Sequence, residues 1–243
     1  MTPSSPFLIE VVASTVNSCI AAEKGGAHRI ELCTALATAG LTPGAALLRA
    51  VKRAVKIPVV VMIRPREGDF CYAHDELDLM KAEIDELGAV GADGFVFGLL
   101  TKDLKVDIQK TAELVLHCGN KQAIFHRAID CTLNLLESVE KVKQTGCIRI
   151  LTSGGEINGA EGIDKILAMQ QVAGNHMTLM PGGGLRAETF ERVLRKELKE
   201  YHLSGRKPWP AAHGGSLFDF NRFETDASEV HLVRQKCENF YNC

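Results

Sequence analysis

Short β-branched runs alternate along the chain with longer stretches of helical period, and turn residues separate the two. The runs fall at residues 7–13, 29–33, 59–64, 94–97, 123–126, 149–152, 177–180 and 200–203. Between them, residues 75–87 place Leu77, Met80, Ile84 and Leu87 on one apolar stripe. Residues 134–144 repeat this with Leu135, Val139 and Val142, and Gly146 follows as a helix stop. Repeated strand–helix units predict a parallel sheet covered by helices. The 243 residues are close to the roughly 250 of a closed eight-stranded β/α barrel of the TIM type. No G-x-G-x-x-G follows the first strand, which disfavours an open dinucleotide-binding sheet. The expectation is one barrel domain over residues 1–243, with an atypical Gly- and Pro-rich loop at 204–225 and a closing helix at 226–241.

Composition narrows the function classes. With 46% hydrophobic residues, 24% charged residues and a net charge of −2, the chain has ample core material and no basic field for nucleic acid. The strongest apolar stretch, residues 57–63, is too short to cross a bilayer, so no membrane partner is expected. Nothing basic precedes Phe7 and Glu10 interrupts the apolar run after it, so no secretory signal is read and a cytoplasmic setting is expected. The 8 cysteines are spread along the chain without a C-x-x-C pair, and reduced core thiols are the expectation.

Strand parity then sorts the polar residues. Side chains two apart share a face. Arg29, Glu31 and Cys33 therefore point inward together, as do Met62, Arg64 and Arg66, then His126, and then Glu200, His202 and Ser204, with Glu10 joining from the first strand. Many of these groups lie at C-terminal strand ends, where barrel active sites are built. One reading is a barrel enzyme acting on a small phosphorylated or carboxylated metabolite. Arg64 and Arg66 would clamp the anion, and Gly182, Gly183 and Gly184 would supply backbone N–H groups. Thr152 and Asp130 would complete the ligand site with Glu10 and His202, and Glu31 or His126 would act as general base. The structural alternative is that inward Glu and Arg form closed ion pairs and the glycines make tight turns.

Four blocks taken in order resemble the CutC (copper homeostasis) family: GGAHRIELC at 25–33, IPVVVMIRPREGDFCY at 57–72, FHRAID at 125–130, and RILTSGGE through MPGGGL at 149–185. The resemblance runs from about Ile9 to His202, and the ordered combination is specific where single blocks are not. It implies the barrel fold, a cytoplasmic setting, self-association as a dimer or tetramer, and a role in copper handling. The copper link attaches most naturally to Cys33, whose thiolate is a soft ligand of the kind that selects Cu(I). Cys19, Met62 or His202 would supply a second ligand. Residues 204–221 depart from the family pattern. Copper handling and anion-metabolite chemistry thus stand as competing functions, with a non-catalytic scaffold as the residual third.

Overall fold

The computed structural model describes residues 5–208 and 223–242. Eight parallel strands follow one another around a nearly closed barrel: β1 (Leu8–Ala13), β2 (Arg29–Leu32), β3 (Val59–Met62), β4 (Gly94–Phe97), β5 (Gln122–Phe125), β6 (Arg149–Thr152), β7 (Thr178–Pro181) and β8 (Glu200–Leu203). Each strand pairs with its sequence neighbour from β1 to β7, and β8 pairs with β1. Strands β7 and β8 meet at the seam, where a Cβ added to Gly182 would stand 3.2 Å from His202 Cβ.

The outer helices are α1 (Val16–Gly25), α2 (Ala45–Ala54), α3 (His74–Val90), α4 (Ile108–His117), α5 (Leu135–Lys143), α6 (Ile163–Ala173) and α7 (Ala227–Tyr241). A one-turn helix, Phe190–Val193, stands between β7 and β8 in place of a full one. Their stripes bury against the outward face of the sheet. Ile9, Val11, Ile30, Leu32, Val61, Phe95, Phe97 and Phe125 form the main core with Leu48, Met80, Ile84 and Val139 from the helices. The stripe expected at 75–87 is buried as read, through Leu77, Met80, Ile84 and Leu87. A smaller apolar cluster of Val60, Met62, Val96, Ile124 and Cys33 fills part of the barrel interior.

The long connection after β8 begins and ends in a two-stranded antiparallel ribbon, β9 (Arg206–Pro208) with β10 (Phe223–Thr225). The remainder of the expected 204–225 loop, residues 209–222, lies outside the described residues. Asp226 then caps α7 by accepting a bond from the Ser228 N–H at 3.0 Å, and Val230, Val233 and Cys237 are buried. Gly25 of α1 lets this closing helix approach, since a Cβ there would stand 2.6 Å from Ala227 O.

Inside the barrel the strands crowd Gly94, where an added Cβ would meet Gln122 O at 2.8 Å and Val60 Cγ1 at 3.1 Å. Gly94→Ala should lower the unfolding free energy by about 1–3 kcal/mol in urea denaturation. Gly44→Ala has nothing within 4 Å of the new atom and should change stability by less than about 1 kcal/mol. Equal midpoints for the two variants would contradict the tight β3–β4–β5 packing.

Candidate functional site

The site is built on an ionic layer low in the barrel. Parallel register sets Glu10 beside Arg29 on β2 and beside His202 on β8. Arg29 Nε donates to Glu10 Oε2, and its Nη2 donates to Glu200 Oε2 at 2.8 Å. Arg149 Nε donates to the same Glu200 oxygen at 2.6 Å, and its Nη1 donates to Gln122 at 2.8 Å. Glu10 and Arg29 are both buried. Burial disfavours the charged carboxylate, yet Arg29, followed by His202, holds Glu10 down to about 2. The expected structural ion pair is therefore present at this level, and Glu10 is fixed as an anion.

One layer higher the pairing is incomplete. His202 Nδ1 donates to Glu10 Oε1 at 2.8 Å and stands 4.0 Å from Glu31 Oε2. That Glu31 oxygen is buried without a hydrogen-bond partner. Burial, opposed by His202 and reinforced by Glu10, pushes the Glu31 carboxyl up to about 7. Burial lowers His202, but the bond to Glu10 and the field of Glu31 outweigh it and raise the imidazole above its ordinary value. Ligand atoms of Glu10, Glu31 and His202 lie within 4.8 Å of one another. Such a donor set is hard and suits a divalent ion better than Cu(I). A cation there would also displace the bonds that Glu10 already makes.

His126 follows β5 and packs on the bare backbone of Gly98, where an added Cβ would come within 2.4 Å of its Nδ1. Its Nδ1 accepts from the Ala128 N–H at 3.2 Å, which leaves Nε2 carrying the proton of the neutral ring. Burial, then the charge of Arg64, lowers this imidazole to about 3, and Nε2 is buried without a partner.

Of the residues expected to face inward, Glu10, Glu31, Arg64, His126 and His202 are all buried, and the last four line one cavity with Cys33 and Met62. Arg66 does not join them. The third strand ends at Met62, the Arg64 N–H bonds Thr42 Oγ1 at 2.8 Å instead of a strand, and Pro65 follows, so strand parity lapses before residue 66. Arg66 turns outward onto Glu76 and Asp69 and stacks over Tyr72. Arg64 is held by carbonyls, with Nη1 on Thr38 O at 2.7 Å and Gly40 O at 3.1 Å and Nη2 on Gly68 O at 2.9 Å. Among the described residues no carboxylate pairs with it.

The two glycine loops divide. After β6, the N–H groups of Ser153 and Gly155 point at Asp130, at 3.0 and 3.1 Å, and Thr152 Oγ1 donates to it at 2.5 Å. An internal carboxylate thus occupies the N–H groups of this loop, so Asp130 and Thr152, both read as ligand-binding residues, bond to each other. After β7, Gly182 N donates to Thr152 O at 2.9 Å, while Gly183 (φ +80°) and Gly184 (φ +66°) line the cavity. A Cβ on Gly183 would strike the Arg127 guanidinium at 2.8 Å.

Arg127 is the residue that strand parity missed, because it sits on the one-turn helix Arg127–Cys131 and not on a strand. Its presence in the FHRAID block was the available signal. Nε donates to Asp130 at 2.8 Å and Nη2 to Ser153 Oγ at 2.7 Å, which aims the remaining edge at Gly183. The cavity, of about 240 Å³, opens at the C-terminal end of the strands, and Arg206 stands on its rim stacked over Phe223. Cys33 lines its wall, and burial, with Glu31 nearby, raises that thiol above its ordinary value. Cys19 does not line the cavity; it is buried between α1 and the sheet, where burial pushes its thiol up to about 12.

A carboxyl raised from 4.5 to about 7 binds more protons folded than unfolded. Its contribution is complete below about pH 4.5 and is lost as pH rises through 7. The raised His202 acts in the same direction above its ordinary 6.5. Relative to Glu31→Gln, the wild-type chain should lose on the order of 2–3 kcal/mol between pH 5 and 8. Parallel stability profiles for the two proteins, measured by urea denaturation, would refute the assignment.

Comparison with known proteins agrees with this architecture. A sequence model described as the CutC family matches residues 7–207. The human copper homeostasis protein cutC homolog is 41% identical over 201 residues, 82% of this chain and 74% of its own length. A family protein CutC from Photobacterium profundum is 34% identical over 93% of this chain and 95% of its own. The crystal structure of CutC from Streptococcus agalactiae superposes with a TM-score of 0.77 at 29% identity, covering 82% of this chain and 98% of that one. With a match that spans most of the barrel and relatives well above 30% identity, the chain belongs to the CutC family.

Proposed function

We propose that the protein serves copper homeostasis by taking up Cu(I) at the mouth of the barrel, with Cys33 as the thiolate ligand and Met62 as its soft neighbour. The names of the human and mouse relatives support the copper role. The observation that carries the residue assignment is that Cys33 is the one described cysteine lining the cavity. Its Sγ and the Met62 methyl each stand 3.4 Å from the place a Cβ on Gly40 would take, so the two sulfur side chains share one wall. Thiolate and thioether suit Cu(I) better than the carboxylates beneath them. A reducing cytoplasmic setting would keep the thiol free, and self-association is carried over from the family resemblance.

Reduced, anaerobic protein should take up Cu(I) in competition with a chromophoric chelator. Cys33→Ser should weaken binding at least tenfold, about 1.4 kcal/mol, while Cys237→Ser should not. Because burial keeps the Cys33 thiol protonated, each ion bound releases a proton. Affinity should therefore rise as pH rises, by up to about tenfold per unit. Equal loss in both variants, or a flat pH profile, would refute the ligand assignment. Light scattering should return a particle larger than the 26.4 kDa chain; a monomer at micromolar concentration would contradict self-association.

A second reading, a barrel enzyme acting on a small anionic metabolite, is favoured by one observation. Glu31 Oε2 and His126 Nε2 are buried without partners in side chains that line the cavity, which is where a general base and a hydrogen-bond donor would meet a substrate.

A further inference from the structure

Arg64, Arg127 and Arg206 all line a cavity in which Glu31 is the one lining carboxyl among the described residues. The hydrogen bonds of the buried Arg64 go to backbone carbonyls, the Phe70 ring lies against its guanidinium, and among the described residues its Nε has no partner. A guanidinium cannot shed its proton, so a buried one without a counter-ion favours an anion beside it. Arg127 is pinned by Asp130 and Ser153 so that its free Nη1 edge lies against Gly183. Among the described residues the N–H groups of Gly183 and Gly184 find no internal acceptor, unlike those of the β6 loop, which Asp130 occupies. The rim therefore offers N–H donors from a fixed guanidinium and from consecutive glycines with positive φ, a concavity suited to a tetrahedral oxyanion. Deeper in, the unpartnered Glu31 Oε2 and His126 Nε2 await an oxygen function.

We propose that this cavity binds a small phosphorylated metabolite bearing a hydroxyl or carbonyl oxygen, its phosphate held by Arg127 and the N–H groups of Gly183 and Gly184, its oxygen function against Glu31 and His126. The phosphate enters the field of Arg64 and Arg206, which supplies Arg64 with the missing negative charge. A cavity of about 240 Å³ lies just below the usual range of about 300–1,000 Å³ for small-molecule pockets, so the ligand is a short-chain compound and not a nucleotide. The proposal deepens the enzyme reading by naming the ligand class, and it replaces Arg66 with Arg127 as the anion-binding guanidinium. It is independent of Cu(I) binding at Cys33.

The test uses reduced, chelator-treated full-length protein and titration calorimetry at constant ionic strength held with chloride. Inorganic phosphate should bind saturably, glycerol 3-phosphate more tightly than phosphate, and glycerol not at all. Arg127→Ala should weaken both phosphates at least tenfold, with Arg127→Lys recovering part of the loss and a circular dichroism spectrum confirming that each variant is folded. Glu31→Gln should leave inorganic phosphate bound and remove the advantage of glycerol 3-phosphate. Absence of saturable phosphate binding, or equal affinities in wild type and folded Arg127→Ala, overturns the proposal. Binding without turnover of any short-chain phosphorylated compound would keep this inference and sink the enzyme reading.

Discussion

The interaction on which the site depends is the buried ion pair of Glu10 and Arg29. Neither group can be neutralised by its own proton chemistry at neutral pH, since Arg29 is raised and Glu10 is held down to about 2. Each must therefore keep its partner, because stripping one from a buried pair costs about 3–5 kcal/mol. Glu200 ties the pair to Arg149, so β1, β2, β6 and β8 are joined through side chains inside the barrel as well as by their ladders. That linkage reaches the seam, because Arg29 Nη2 also contacts Met180 Sδ of β7 at 3.7 Å.

Fixing Glu10 as an anion bears on the two groups above it, His202 and Glu31. The carboxylate accepts from His202 Nδ1 and so keeps that imidazole protonated at one known position. A second carboxyl at Glu31, with no partner on Oε2, is desolvated by burial and then meets the negative charge of Glu10, and it holds its proton to higher pH. Two glutamates on neighbouring strands thus differ widely because one has a guanidinium and the other has an open cavity. The other half of the interior, Val60, Val96 and Ile124 on β3 to β5, is apolar and keeps the dielectric low around them.

Much of this was legible in the sequence because parity within regular strands is a rigid rule. The β4, β6 and β8 limits match those read from the runs, and Glu10, Glu31 and His202 face inward as alternation demands. Reading failed where the ladder ends. Arg64 keeps its inward direction one turn past β3, but the prolyl residue after it redirects Arg66 toward Glu76. The glycine loops looked alike in composition, and nothing local distinguishes the one filled by Asp130 from the one facing Arg127; the difference lies in a contact between residues about 23–25 apart. Cys19 looked like a second ligand by proximity in the chain, yet its helix packs on the outer face of the sheet while Cys33 faces inward.

The charge of the cavity also bears on which metal it could take. Its lining carries Arg64, Arg127 and Arg206, a field that repels cations. A cuprous ion replacing the proton of the Cys33 thiol leaves the total charge of the wall unchanged, since one positive charge leaves as one arrives. A divalent ion at the same sulfur adds a unit of positive charge beside a buried Arg64 that pairs with no carboxylate among the described residues, where Coulomb repulsion is weakly screened. On the copper reading, then, discrimination against divalent ions follows from the arginines as much as from sulfur softness.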